Sequence, residues 1–248
     1  MKVSTEKVKL YTPQHLAGTL DQSVLRPIHT AKDVEENAKL CLEHNFRALV
    51  IDPAYVSLAK RLLANSKVLC ASVCDFPHGR ETTDSRINSV RSLLNRGVDE
   101  VDIVAKYHLL LEGNIKEFKE DLKKVVQAMN EVPLKIILEV DYLTPEQIQE
   151  ATSIICEIAK EENAKNLIVK TKTGFASKVN VQNVDAVNLI HKVLVDKGLY
   201  AEKIEEITKG KIGIKASGGV KTKQDVIPLL EVGAHVIGTS SGVEIVSN

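Results

Sequence analysis

The chain has 248 residues, with 33 Lys+Arg against 33 Asp+Glu, 44% apolar residues, 4% aromatic residues and no Trp. That is ordinary globular composition with enough chain to bury a sizeable core, and zero formal net charge argues against bulk electrostatic attraction to nucleic acid or anionic lipid. No apolar run approaches the roughly 18 residues that cross a bilayer, and the charged start MKVSTEKVKL is unlike a secretory leader, so the expected address is cytoplasmic.

A short N-terminal extension of about 15 residues precedes the first regular pattern. In chain order, a brief strand is predicted at 20–23, a helix over 31–43, the strand RALVID at 47–52 and a helix over 54–63. The strand VLCASVCDF follows at 68–76, then a helix over 83–96 that stops at Gly97, the strand EVDIVAK at 100–106 and a helix over 115–129. The strand LKIILEV at 134–140 leads to Thr144, an expected N-cap with Pro145 in the first helical position, and a helix over 145–160. The strand NLIVKT at 166–171, a helix over 181–197 ending at Gly198, the strand KIGIKAS at 211–217, a helix over 223–232 ending at Gly233 and the strand HVIGTS at 235–240 complete the series.

Eight strand–helix units in 248 residues average 31 residues each, the size of a unit in an α/β protein of the (β/α)8, or TIM-barrel, class. The competing architecture, an open doubly wound sheet, would be expected to show GxGxxG after its first strand, and the chain has none there. No Pro-, Gly- or Ser-rich linker interrupts the rhythm, so a single barrel domain is the reading for residues 1–248. Cys41, Cys70, Cys74 and Cys156 include no CxxC pair and are expected to be reduced packing residues.

Parallel strands covered by helices should be apolar on both faces, and several strands here break that rule on one parity. Side chains alternate with period two, so Val101, Ile103 and Ala105 share one face of EVDIVAK and Asp102, Val104 and Lys106 the other. The same alternation sets Lys135 with Glu139, Lys170 with Lys172, and Lys211, Lys215 and Ser217 together. If the apolar faces meet the helices, Asp102, Glu139, Lys170 and Lys215 converge inside the barrel. Buried ions must be paired or serve chemistry, so the alternative is a purely structural ion pair. Lys106, Lys135, Lys172 and Lys211 are expected at strand ends with their amines in water.

Two lysines and a carboxylate, with no His pair at ligand spacing, suit covalent amine chemistry better than a metal. An ordinary lysine is neutral in only roughly one molecule in 2,500 at pH 7, and burial beside a second cation raises that fraction. Gly-Gly in IKASGGVKT (214–222) and the run IGTSSG (237–242) would offer backbone amides and hydroxyls at helix starts to a phosphate, as barrel loops commonly do.

LDQSVLRP (20–27), FPHG (76–79), GVDEVDIV (97–104), KIILEV (135–140), IVKTKTGF (168–175), IKASGGVKT (214–222) and IGTSSG (237–242) together resemble the deoxyribose-phosphate aldolases. The resemblance runs from about residue 20 onward, with the motifs in family order. It implies a class I aldolase that cleaves 2-deoxy-D-ribose 5-phosphate to D-glyceraldehyde 3-phosphate and acetaldehyde with neither metal nor cofactor, on a small sugar phosphate rather than nucleic acid or membrane. By motif, Lys170 matches the Schiff-base lysine, Lys215 the lysine that tunes it, and Asp102 the proton-relaying carboxylate. Asp21 and Ser23 match residues near the substrate, and Gly174, Gly218, Gly219, Gly238, Ser240 and Ser241 match the phosphate loops.

Lys172 stands where the family motif usually has Ser, and three roles are open to it: lowering the Lys170 pKa, aiding phosphate binding or reaching solvent. Gln22 replaces a frequent His. Two other functions fit parts of the pattern, a Schiff-base aldolase acting on a ketose phosphate and a sugar-phosphate binding protein without turnover. Barrels of this size commonly self-associate, as dimers or tetramers.

Overall fold

The computed structural model describes residues 11–247. Eight parallel strands, β1 (Leu20–Val24), β2 (Ala48–Ile51), β3 (Leu69–Cys74), β4 (Glu100–Val104), β5 (Leu134–Ile137), β6 (Leu167–Lys170), β7 (Ile212–Ser217) and β8 (Val236–Thr239), close into a barrel in sequence order, with β8 paired back to β1. The (β/α)8 expectation holds, and each strand lies within two or three residues of its predicted bounds.

The crossover helices form where the sequence supplies both an apolar stripe and a start signal. Thr144 accepts from the Gln147 amide while the Gln147 side chain accepts from the Thr144 amide, and Pro145 opens the helix Pro145–Glu161. Thr222 and Asp225 make the same reciprocal cap at Lys223–Glu231. The segment predicted as one helix over 54–63 instead starts as a 3-10 turn, Pro53–Tyr55, before the helix Val56–Leu62. Short helices at Tyr107–Leu111 and Gly242–Ser247 have too few residues for a periodic pattern to reveal them.

Residues 1–10 of the expected extension lie outside the described residues. Pro13–Ala17 is a helix capped by Thr12, and Leu16 and Ala17 are buried, so at least the end of that segment is part of the packed structure.

The main apolar core lies between strands and helices, where Val101 and Ile103 join Val90, Leu93, Leu122 and Val125. Inside the barrel the apolar part is small: Val50, Ala71 and Val73 from β2 and β3 form a separate cluster. The register sets Lys170 beside Lys215 and Asp102 beside Lys135 on neighbouring strands. Ile168 of β6 packs in a further small cluster with Ala201 and Ile207, and buried charged side chains occupy much of the remaining interior.

Candidate functional site

Asp102 is the hub of the interior. Its Oδ1 accepts from Lys135 Nζ at 2.8 Å, and its Oδ2 accepts from Lys170 Nζ at 2.8 Å and Lys215 Nζ at 2.9 Å. Lys215 Nζ also reaches Asp21 Oδ2 at 2.5 Å. Deeper in the interior, Lys135 Nζ lies 2.5 Å from Glu100 Oε2 and 3.4 Å from Asp21 Oδ2. Arg47 closes the network, donating to Asp21 Oδ1 at 2.7 Å and pairing with both carboxylate oxygens of Glu100.

Four cations (Arg47, Lys135, Lys170, Lys215) thus face three carboxylates (Asp21, Glu100, Asp102), all buried or nearly so. One positive charge is in surplus, and it is relieved most readily where carboxylates are fewest. Lys135 is within ion-pair distance of all three carboxylates, Lys215 of two and Lys170 of Asp102 alone. Burial lowers the Lys170 pKa, Asp102 raises it, and Lys215 and Lys135 lower it further, leaving it at about 8. At pH 7 roughly one Lys170 in ten is then neutral, against one in 2,500 for a free lysine. Burial works against the Asp102 carboxylate too, but Lys135, Lys170 and Lys215 outweigh it and hold the acid far below the usual range.

Above the network opens a cavity of about 550 Å³. Asp21, Ser23, Lys170 and Lys215 line it together with Gly174, Gly218, Gly219, Gly238 and Ser240. Asp102 is fully buried behind the two lysines rather than on the wall. Phe76 packs its ring 6.0 Å from Lys170 Nζ and edge-on to Phe175, with centroids 5.3 Å apart.

Two of these glycines, Gly218 and Gly238, are fixed by space. A Cβ on Gly238 would lie 2.8 Å from Ser217 Cβ and 3.1 Å from Lys215 Cε, so any side chain there crowds Lys215. Gly218 combines φ +86° with a virtual Cβ 2.7 Å from Lys172 Cδ.

Several expectations need correction. Glu139 does not join the interior charges: β5 ends at Ile137, the backbone turns left-handed at Glu139 (φ 57°), and its carboxylate instead accepts from the Thr173 hydroxyl and amide. Lys135 is not at a solvated strand end but fully buried in the network. Lys172 is 4% exposed and ion-paired to Asp141 Oδ1 at 2.6 Å, and Lys106 is 8% exposed and pairs with Asp121 at 3.1 Å. Lys211 fits its expected place at the surface, donating to the Gly198 carbonyl at 2.7 Å.

Ser241 is not on the cavity wall; its amide donates to Thr239 Oγ1, and Ser23 Oγ donates to the Thr239 carbonyl. The amide of Gly242, at the start of the last helix, is taken by Gln22 Oε1 at 3.0 Å, so that helix start offers less than expected. Gln22 also donates to the Ser240 carbonyl, which makes it the brace of the β8 loop.

Arg47, Glu100, Thr171 and Asn183 also belong to the site and are not among the residues expected from the sequence. Glu100 shares the parity of Asp102 within one strand, a signal that was present. Asn183 left none, because its role arises from tertiary contacts: it accepts from Thr171 Oγ1 at 2.8 Å and donates to the Ser217 and Gly218 carbonyls at 2.9 and 3.0 Å.

Comparison with known proteins adds an independent line. The profile of the DeoC/LacD family aldolases matches residues 16–247. A deoxyribose-phosphate aldolase of Thermococcus gammatolerans is 34% identical over 235 residues, spanning 93% of this chain and 95% of its own. Among solved structures, QR15, an aldolase, superposes with a TM-score of 0.79 at 28% identity, covering 94% of each chain. The deoxyribose phosphate aldolase of Aeropyrum pernix, described as a tetramer of unique structure, gives a TM-score of 0.75 at 25% identity over 95% of this chain and 91% of that one.

Proposed function

The chain belongs to the DeoC/LacD aldolase family, and on that premise we propose that it reversibly cleaves 2-deoxy-D-ribose 5-phosphate to D-glyceraldehyde 3-phosphate and acetaldehyde through a Schiff base on Lys170. The observation that carries this reading is the surplus cation at the cavity floor, with the Lys170 pKa lowered to about 8.

In this mechanism neutral Lys170 Nζ attacks the aldehyde carbon of the open-chain sugar phosphate and water departs, leaving an iminium. The iminium draws the electrons of the breaking carbon–carbon bond as the neighbouring hydroxyl loses its proton and becomes the aldehyde of the departing triose phosphate. The enamine left on Lys170 is protonated and hydrolysed to acetaldehyde.

Lys215 suits the proton transfers because it lines the cavity while bridging Asp21 and Asp102. Its ammonium gives the proton with which water departs, and the resulting amine takes the hydroxyl proton as the carbon–carbon bond breaks and passes it to the enamine carbon; the final hydrolysis returns a proton to it. Asp102, held as a carboxylate behind both lysines, orients them and stabilises the positive charge that Lys170 acquires as the iminium. Asp21 and Ser23 flank the sugar. Gly174, Gly218, Gly219, Gly238 and Ser240 receive the phosphate, with Ser241 supporting the turn, and convert phosphate binding into positioning of the reacting carbon.

The proposal includes a cytoplasmic enzyme that assembles as a dimer or tetramer; the Aeropyrum pernix neighbour is described as tetrameric, and no helix among the described residues is long and apolar enough to cross a membrane. The test is a substrate panel of 2-deoxyribose 5-phosphate, fructose phosphates and sedoheptulose phosphate. Acetaldehyde released from the first alone, and lost in Lys170→Ala, is the expected result. Cleavage of a ketose phosphate in its place, or phosphate binding without any turnover, would replace this reading.

A further inference from the structure

Lys172 does not line the cavity, yet it is one of the most enclosed charges beside it. Its Nζ is held by Asp141 Oδ1 at 2.6 Å, and both side chains are nearly inaccessible, at 6% and 4% exposure. Between that ion pair and the backbone, the Lys172 stem runs directly beneath Gly218: a Cβ built on Gly218 would meet Lys172 Cδ at 2.7 Å and Cγ at 2.8 Å.

The surrounding contacts join the same loops. Ser217 Oγ donates to the Lys172 carbonyl at 2.6 Å, and a Cβ on Gly174 would lie 3.4 Å from Gly218 Cα. The segment after β5 thus holds the segment after β6 through Asp141 and Lys172, and the segment after β6 supports the Gly218–Gly219 turn after β7. Both glycines of that turn, and Gly174, have positive φ, so the backbone there is set by its neighbours rather than by side-chain packing of its own.

We propose that the Asp141–Lys172 ion pair is a positioning device for the phosphate-binding turn: Asp141 anchors the ammonium so that the Lys172 stem props Gly218 at the height a sugar phosphate requires. The inference rests on the proposed phosphate role of Gly218 and Gly219. Lys172 acts through that turn, not on the ligand or the reacting atoms. Its buried charge has a partner, and the long stem fills space below a residue that can carry no side chain of its own.

Calorimetric titration with inorganic phosphate, alongside steady-state kinetics on 2-deoxyribose 5-phosphate and unphosphorylated 2-deoxyribose, tests this. Lys172→Ala is expected to weaken phosphate binding and raise KM for the phosphate ester by about tenfold, with kcat within about twofold and turnover of the unphosphorylated sugar little changed. The double variant Asp141→Asn with Lys172→Met removes both charges at nearly constant volume, and about a threefold weakening is expected because the stem stays but loses its anchor. If Lys172→Ala fails to fold by circular dichroism, the double variant decides.

Unaltered phosphate affinity in the folded variants overturns the proposal. So does an equal loss on both sugars, which would mark general damage, and so does a wild-type protein that binds no phosphate. Acetaldehyde release by the wild type judges the reaction separately: its absence alongside the expected phosphate pattern would discard the reaction and leave the positioning device standing.

Discussion

The two ends of the interior network hold lysines in similar burial with opposite consequences. Lys135, in the deeper part, and Lys170, at the cavity, both donate to Asp102 at 2.8 Å and are almost completely enclosed. Burial lowers the Lys135 pKa, but Asp102, Glu100 and Asp21 outweigh it and the ammonium is held far above the ordinary range. Lys170 has only Asp102, shared with two other lysines, and falls to about 8. Enclosure does not by itself make a nucleophile; the local count of carboxylates decides which lysine gives up its proton.

Substitutions at either end of the network separate the two lysines. Lys170→Met should lower kcat/KM by at least about a thousandfold, because the amine that forms the iminium is gone, while thermal unfolding shows an intact fold. Lys215→Met should lower kcat by roughly a hundredfold or more through loss of the proton shuttle. Because Lys215 helps depress the Lys170 pKa, its removal should also move the pH–rate limb upward.

At the deeper end, Lys135→Met strips a cation from three carboxylates and should cost about 3–5 kcal/mol of stability, read from urea unfolding. Any folded fraction should keep its nucleophile, with the pH–rate limb displaced modestly upward because Lys135 also lowers the Lys170 pKa. The rim is expected to show itself in turnover and the deeper end in stability. Equal effects of the two substitutions on both measures would dissolve the distinction.

For the unaltered protein, kcat/KM should rise with pH and level off above about 8, as Lys170 loses its proton. The stability consequence has a definite sign. The folded state binds the Lys170 proton less tightly than the unfolded chain, whose lysine titrates near 10.5, so this group's contribution becomes more favourable as pH rises from about 8 to 10.5. A Lys170→Met variant should lack that rise. The smallest effect is expected from Gln22→Ala, which frees the Ser240 carbonyl and the Gly242 amide; a KM increase of about threefold for the sugar phosphate with little change in kcat would fit loss of a loop brace.

Strand rhythm and parity made the barrel and the Asp102–Lys170–Lys215 convergence legible, because a charge on the interior parity of a doubly covered strand has no ordinary place to go. Parity failed at Glu139, where a left-handed residue after Ile137 redirects the side chain toward Thr173. It also misjudged Lys135 and Lys172, because a strand-end lysine that reaches water and one that meets a carboxylate look alike until the partner is placed: Glu100 and Asp21 for the first, Asp141 for the second. Asn183 lies on a helix after a long loop, and only the folded chain brings it to the carbonyls of Ser217 and Gly218.

The central claim is that charge imbalance selects Lys170 as the neutral amine. Incubation with acetaldehyde and borohydride at pH 7, followed by peptide mapping, tests it most directly. A single adduct of about 28 mass units on Lys170, with Lys135, Lys172 and Lys215 unmodified, is the predicted result. An adduct on Lys215 or Lys172, or none on any of the four, would contradict it.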